Sequence, residues 1–138
     1  MDKKKTKTTS QLKKELDKIF SVYIRRRDAD WQGFNFCFTC KRKMHWQKLH
    51  AGHFQTRSKH SIRWDYELGN VQPQCPKCNL WEAGQQYKYG IYLDQKYGEG
   101  RAQLLEQLGN QIVKYTKQDY EEKISFFKRE VTKIINEQ

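Results

Sequence analysis

The chain has 138 residues, 36% of them hydrophobic, and a mean hydropathy of -1.07, which allows one domain with a thin core and no apolar run long enough for a membrane span. Its formal charge of +11 is uneven, because residues 1–82 hold 18 of the 27 Lys and Arg but 8 of the 16 acids. A basic field so localised, with 14% aromatics interleaved, points to nucleic acid ahead of a merely solvated basic face.

Residues 1–9 are Lys- and Thr-rich with nothing to bury and read as a basic disordered tail. The opening MDKKKTKTTS has no apolar region of an export signal, so a soluble, intracellular protein is expected. From Ser10, read as the N-cap, Leu12, Leu16, Ile19, Phe20, Tyr23 and Ile24 fall on one stripe of an amphipathic helix spanning residues 10–30. Its far end, Arg25, Arg26 and Arg27, suits both the helix dipole and phosphate.

Residues 34–83 form the central block. Phe34, Phe36 and Phe38 alternate before the turn at Cys40, which places a first cysteine pair in a knuckle between two short strands. A strand is predicted from His50 to Thr56, then a basic loop (Arg57, Lys59, His60), then a second strand near Ile62 to Glu67. Gly69-Asn70 reads as a turn, and Pro76 opens a helix. Residues 84–138 read as helical. A Tyr-rich stretch from Tyr87 to Tyr97 is mainly core, with base stacking as the minor use. Thr116 and Asp119 form a capping box for a last helix, whose face of Tyr120, Ile124, Phe127, Val131, Ile134 and Ile135 packs on the zinc core or pairs two copies in a homodimer. The domain thus runs from residue 10 to 138.

Cys37/Cys40 and Cys75/Cys78 are two C-x2-C pairs, which together supply the four soft ligands of a tetrahedral structural Zn2+. Disulfides are the rival, and both the tight spacing and the missing export signal count against them. Between and after the pairs stand His50, His53, Asn70 and Asn79. One neutral His and one divalent cation can together activate water and stabilise the charge that develops on a phosphodiester.

The runs His50-Ala-Gly-His-Phe54, RWDYELGN from Arg63 to Asn70, and QCPKCN from Gln74 to Asn79 resemble the HNH, or ββα-metal, nucleases of treble-clef type. The order of features over residues 12–136 is similar to that of the phage Rap/NinG recombination family, endonucleases acting on branched DNA. The resemblance implies an α+β fold with a small zinc-stabilised ββα-metal core and flanking N- and C-terminal helices. It implies that His53 is the general base, that Asn70 orients its imidazole, and that Asn79 offers its oxygen to catalytic Mg2+ or Mn2+. Many such sites carry an acidic or His ligand immediately before the base, where this sequence has Gly52. His50 ranks first as the second ligand, brought round by a bulge at Gly52, and Asp65 is the runner-up. Arg57, Lys59, His60 and Arg63 are the expected phosphate clamp, with Arg25, Arg26 and Arg27. The expected partner is DNA, branched or single-stranded, and the setting is the cytoplasm of a bacterial host. A non-catalytic zinc-ribbon module and a general HNH nicking nuclease are the rivals.

Overall fold

Thr8 opens the first helix by accepting a hydrogen bond from the Gln11 N–H while the Gln11 side chain returns to the Thr8 N–H. This capping box satisfies two orphan donors and starts α1, Thr9–Arg26. The computed structural model describes residues 6–137. The cap therefore lies two residues before Ser10, and Thr8 and Thr9 belong to the helix rather than to a tail; Lys7 pairs with Glu15 at 2.6 Å, and residues 1–5 lie outside the described residues.

Two small antiparallel pairs follow. β1 (Phe34–Phe36) pairs with β2 (Lys43–His45), and the first cysteine pair sits in the turn between them. β3 (His50–His53) pairs with β4 (Val71–Gln74) in the register His50 to Gln74 through His53 to Val71. The strand predicted near Ile62–Glu67 is instead the helical turn α2, His60–Arg63, and a loop. The reason is Asp65: its carboxylate accepts from the N–H groups of Glu67, Leu68 and Asn70, a local turn that competes with any ladder. β4 was hidden by its composition, since Val-Gln-Pro-Gln buries all four residues and shows no alternation.

Pro76 does open a helix, but only a five-residue π-helical turn, Lys77–Trp81, before the chain reverses through Ala83–Gln85. Three helices complete the chain: α3 (Gln86–Tyr97), α4 (Arg101–Gly109) and α5 (Lys117–Asn136). Tyr89 and Leu93 of α3 are buried with Phe38 and Leu105, so the Tyr-rich stretch is mainly core. The Thr116–Asp119 capping box of α5 is present in both directions.

The apolar face of α5 lies chiefly against α1 and not on the zinc cluster, whose own small core is Leu49 with Met44 beside it. Two helices with matching stripes bury more apolar surface against each other than either could against that knuckle. The same packing occupies the face that would have joined two copies. Phe127 is its centre, 5.0 Å from Phe20 and 5.4 Å from Tyr23 between ring centroids, with Trp64 and Tyr120 in the same cluster. Phe127→Ala is therefore expected to cost about 3–5 kcal/mol, read as a lowered midpoint in urea unfolding of the zinc-loaded protein. A loss under 1 kcal/mol would show that this cluster is not the main core.

Candidate functional site

The four cysteine sulfurs lie within 4.8 Å of one another, and none is in a disulfide. Cys40 Sγ and Cys75 Sγ are 3.7 Å apart, close to the roughly 3.8 Å edge of a tetrahedron with Zn–S bonds of about 2.3 Å. Backbone N–H groups point back at the sulfurs: Cys40 N–H to Cys37 Sγ at 3.5 Å and Cys78 N–H to Cys75 Sγ at 3.4 Å. Burial opposes a thiolate at Cys37, yet the Cys40 N–H and the Thr39 hydroxyl bring its pKa down to about 6. Burial and neighbouring sulfur push Cys78 up to about 12. Four crowded thiols of this kind need a cation before all can ionise, and Zn2+ fits both their number and their spacing.

One edge of the β3–β4 pair faces α1 across a cleft of about 390 Å³, lined by His50, His53, Asp17, Ser21, Arg25 and Arg57 among others. His53 Nε2 lies 2.8 Å from the Arg63 carbonyl oxygen. A carbonyl can only accept, so Nε2 carries the proton and Nδ1 keeps its lone pair. Burial pushes the pKa of this imidazole below the usual histidine range, with the Arg63 carbonyl opposing and the Arg57 charge assisting. His53 is therefore a neutral base at pH 7.

His50 comes to the same cleft without a bulge, because β3 pairs with β4 in unbroken register. It sits at the open end of the strand, where the turn after Cys78 delivers Asn79 with Nδ2 3.1 Å from His50 Nδ1. Turning that amide over, a change of assignment and not of shape, puts Oδ1 beside the same nitrogen. The pair then offers one imidazole nitrogen and one amide oxygen, a donor set that Mn2+ accepts more readily than Mg2+ does. Gly52 has a steric explanation: a Cβ there would run into the Gln74 side chain, which crosses β3, so no ligand residue fits at that position.

Two predicted roles change. Asn70 makes no hydrogen bond with His53. It is wholly buried, accepts from the Gln55 N–H through Oδ1, and donates through Nδ2 to the Gln55 and Ile62 carbonyls. Its effect on His53 is indirect, by fixing the loop that carries Arg63. Asp65 is not available to a metal, since both carboxylate oxygens are taken by the backbone N–H groups of its own turn.

Sequence reading missed Asp17. This α1 carboxylate grips Arg63 in a two-pronged pair, Oδ1 to Nε at 3.2 Å and Oδ2 to Nη2 at 2.6 Å. It also accepts from Trp64 Nε1 at 2.9 Å and from Arg57 Nη2 at 2.7 Å. Burial works against its charge, but these donors outweigh it and hold the carboxyl below its ordinary range. The available signal was the four-residue spacing of Asp17, Ser21 and Arg25, a polar stripe beside the apolar one.

A family model described as Bacteriophage Lambda NinG protein matches residues 1–137. The chain belongs to the NinG family. No curated protein and no solved structure matches it significantly.

The predicted phosphate contacts of this NinG-family chain divide sharply. Arg57 has 61% of its side chain exposed whereas Arg63 has 12%, so Arg57 can exchange Asp17 for a phosphate and Arg63 is a structural tie. Arg25 lines the cleft and donates to Ser21 and to the Trp46 carbonyl. Arg26 lies over the Trp46 ring. Arg27 is turned away, donating to the Tyr66 carbonyl at 2.6 Å. Lys59 reaches Asn110 and His60 lies against Trp64, on a flank apart from the residues that line the cleft. Among the described residues, no helix of this NinG-family chain is long and apolar enough to cross a membrane.

Proposed function

We propose that the protein is a metal-dependent, structure-specific DNA endonuclease with a ββα-metal site, cutting branched DNA in phage recombination. The observation that carries the reading is one basic cleft holding a neutral His53, its tautomer set by the Arg63 carbonyl, together with an adjacent His50–Asn79 pair. NinG membership supports a phage setting, and the cytoplasm of a bacterial host is the compartment this reading implies.

In this mechanism His53 Nδ1 takes a proton from a water molecule as that oxygen attacks the phosphorus. The bond to the 3′ oxygen breaks, and that oxygen takes a proton from solvent, leaving a 3′ hydroxyl and a 5′ phosphate. Arg57 and Arg25 hold the phosphate in the cleft. His50 and Asn79 would hold the divalent cation, which supplies charge neutralisation at the phosphoryl and leaving oxygens. Asn70 and Asp17 keep residues 62–64 in place, so that Arg63 presents its carbonyl to His53. Resolving a four-way junction calls for two active sites and hence two copies, joined by a surface other than the α5 face already covered by α1.

The second reading is a non-catalytic zinc-dependent nucleic-acid-binding module. It draws on the lack of a carboxylate in the cleft other than Asp17, which is already committed to Arg63. An end-labelled four-way junction and a linear duplex of matching sequence, incubated with Mn2+, separate the readings. Selective cutting of the junction is expected. Equal cutting of the duplex would reduce the protein to a general HNH nicking nuclease, and tight binding with no scission would favour the module.

A further inference from the structure

β1 is inside out. In a strand with one face against the protein, the apolar side chains should face inward. Here the buried residue is Asn35, whose Nδ2 donates to the Arg25 carbonyl at 3.0 Å, while Phe34 and Phe36 face outward. Phe36 is 55% exposed, and the neighbouring Trp31 is 81% exposed. In the β1–β2 register Phe34 stands opposite His45 and Phe36 opposite Lys43, so the outer face of the hairpin carries two rings, an imidazole and a lysine.

The charge of the hairpin segment is positive. Residues 31–49 contain four Lys and Arg and no Asp or Glu. Lys43 lies over the Phe34 ring, and Arg42 and Lys48 are exposed with no ion pair to another described residue. The nearby acid is Asp30, whose Oδ1 is used by the Gln32 and Phe34 N–H groups and whose Oδ2 is 3.9 Å from Lys43. Gly33, at φ +90°, lets the chain turn into β1 where a Cβ would strike His45, so the presentation of these rings is built into the backbone.

We propose that the outer face of the β1–β2 hairpin, centred on Phe36 and Phe34 with Trp31 beside them, is a stacking platform for unpaired nucleobases. Exposed aromatics flanked by cations are the arrangement by which a protein holds single-stranded nucleic acid without reading its sequence, the rings taking the bases and the cations the phosphates. A protein partner is disfavoured, because interface cores are depleted of lysine. The proposal rests on the DNA reading above and deepens it: the platform gives a branch that carries a single-stranded segment an advantage over plain duplex.

The test is fluorescence anisotropy on the zinc-loaded protein without Mg2+ or Mn2+, with a labelled single-stranded oligothymidylate and a labelled blunt duplex. Phe36→Ala and Phe36→Leu are expected to weaken single-strand binding by about 5- to 150-fold, the worth of one stacked base. Phe36→Tyr should restore it, and duplex binding should be unchanged in all three. An exposed ring leaves the fold intact, which a thermal melt verifies. Unchanged single-strand binding in the Ala and Leu variants overturns the platform and leaves DNA binding standing. So does equal weakening toward both DNAs, or a wild-type dimer that Phe36→Ala dissociates. Wild-type protein that binds neither DNA overturns the DNA reading as well.

Discussion

His53→Ala is expected to retain zinc, fold and DNA affinity but to lower the proposed cleavage rate by about 10²- to 10⁴-fold, the usual contribution of a positioned general base. Retained binding is expected because His53 is neutral at pH 7, so its removal takes no positive charge from the cleft. The pH profile supplies the second half of this result. Since burial pushes the imidazole pKa below its ordinary value of about 6.5, the wild-type rate should rise with pH through the acidic range and reach its plateau by neutrality. The alanine variant should lose that acidic limb. Single-turnover cleavage of a labelled substrate across pH 5–8 measures both, and a variant that cuts as fast as wild type removes His53 from the chemistry.

Stripping zinc, or replacing Cys75 by Ser, is expected to unfold the segments around the cysteines, residues 34–49 and 75–83. Structural zinc sites bind with about 10–16 kcal/mol in small peptides, comparable to the whole stability of a domain. The hydrophobic core they replace is slight: around the cysteines it amounts to Leu49, with Met44 partly buried. The cluster also ties β1–β2 to the turn carrying Asn79, so His50 and Asn79 lose their juxtaposition when it opens. The α1–α5 pair has its own aromatic core and should melt separately. Near-ultraviolet circular dichroism, with backbone amide spectra before and after chelation, reads this directly. Dispersed amide signals from residues 34–49 and 75–83 in metal-free protein would contradict it.

What the sequence disclosed, and what it hid, follows from the range of each interaction. The cysteine pairs, the α5 capping box and the apolar stripes of α1 and α5 are local patterns with fixed periods, and all were legible. β4 was not, because Pro73 and two buried glutamines carry no strand signature; Gln74 is held by Thr39 and by the Gly84 carbonyl, partners far along the chain. The strand expected near Ile62–Glu67 is instead the helical turn His60–Arg63 and a loop, and the Asp65 carboxylate holds the backbone of that loop. His53 and Asn79 come from their positions in the family pattern and His50 from an expected bulge at Gly52; His50 and His53 line the cleft, and Asn79 touches His50 at its end without any bulge. Asn70 was named with the wrong contact, and Asp17 not at all, because both act through backbone or guanidinium groups that only the folded chain brings near.

The proposed function requires that this cleft hydrolyse phosphodiesters. An end-labelled four-way junction incubated with zinc-loaded protein and Mn2+, with the product termini then tested for ligation, decides it. Discrete cuts that need the divalent ion and leave ligatable 5′ phosphates are the predicted result. A junction that is bound but remains intact at every metal concentration and pH would contradict it.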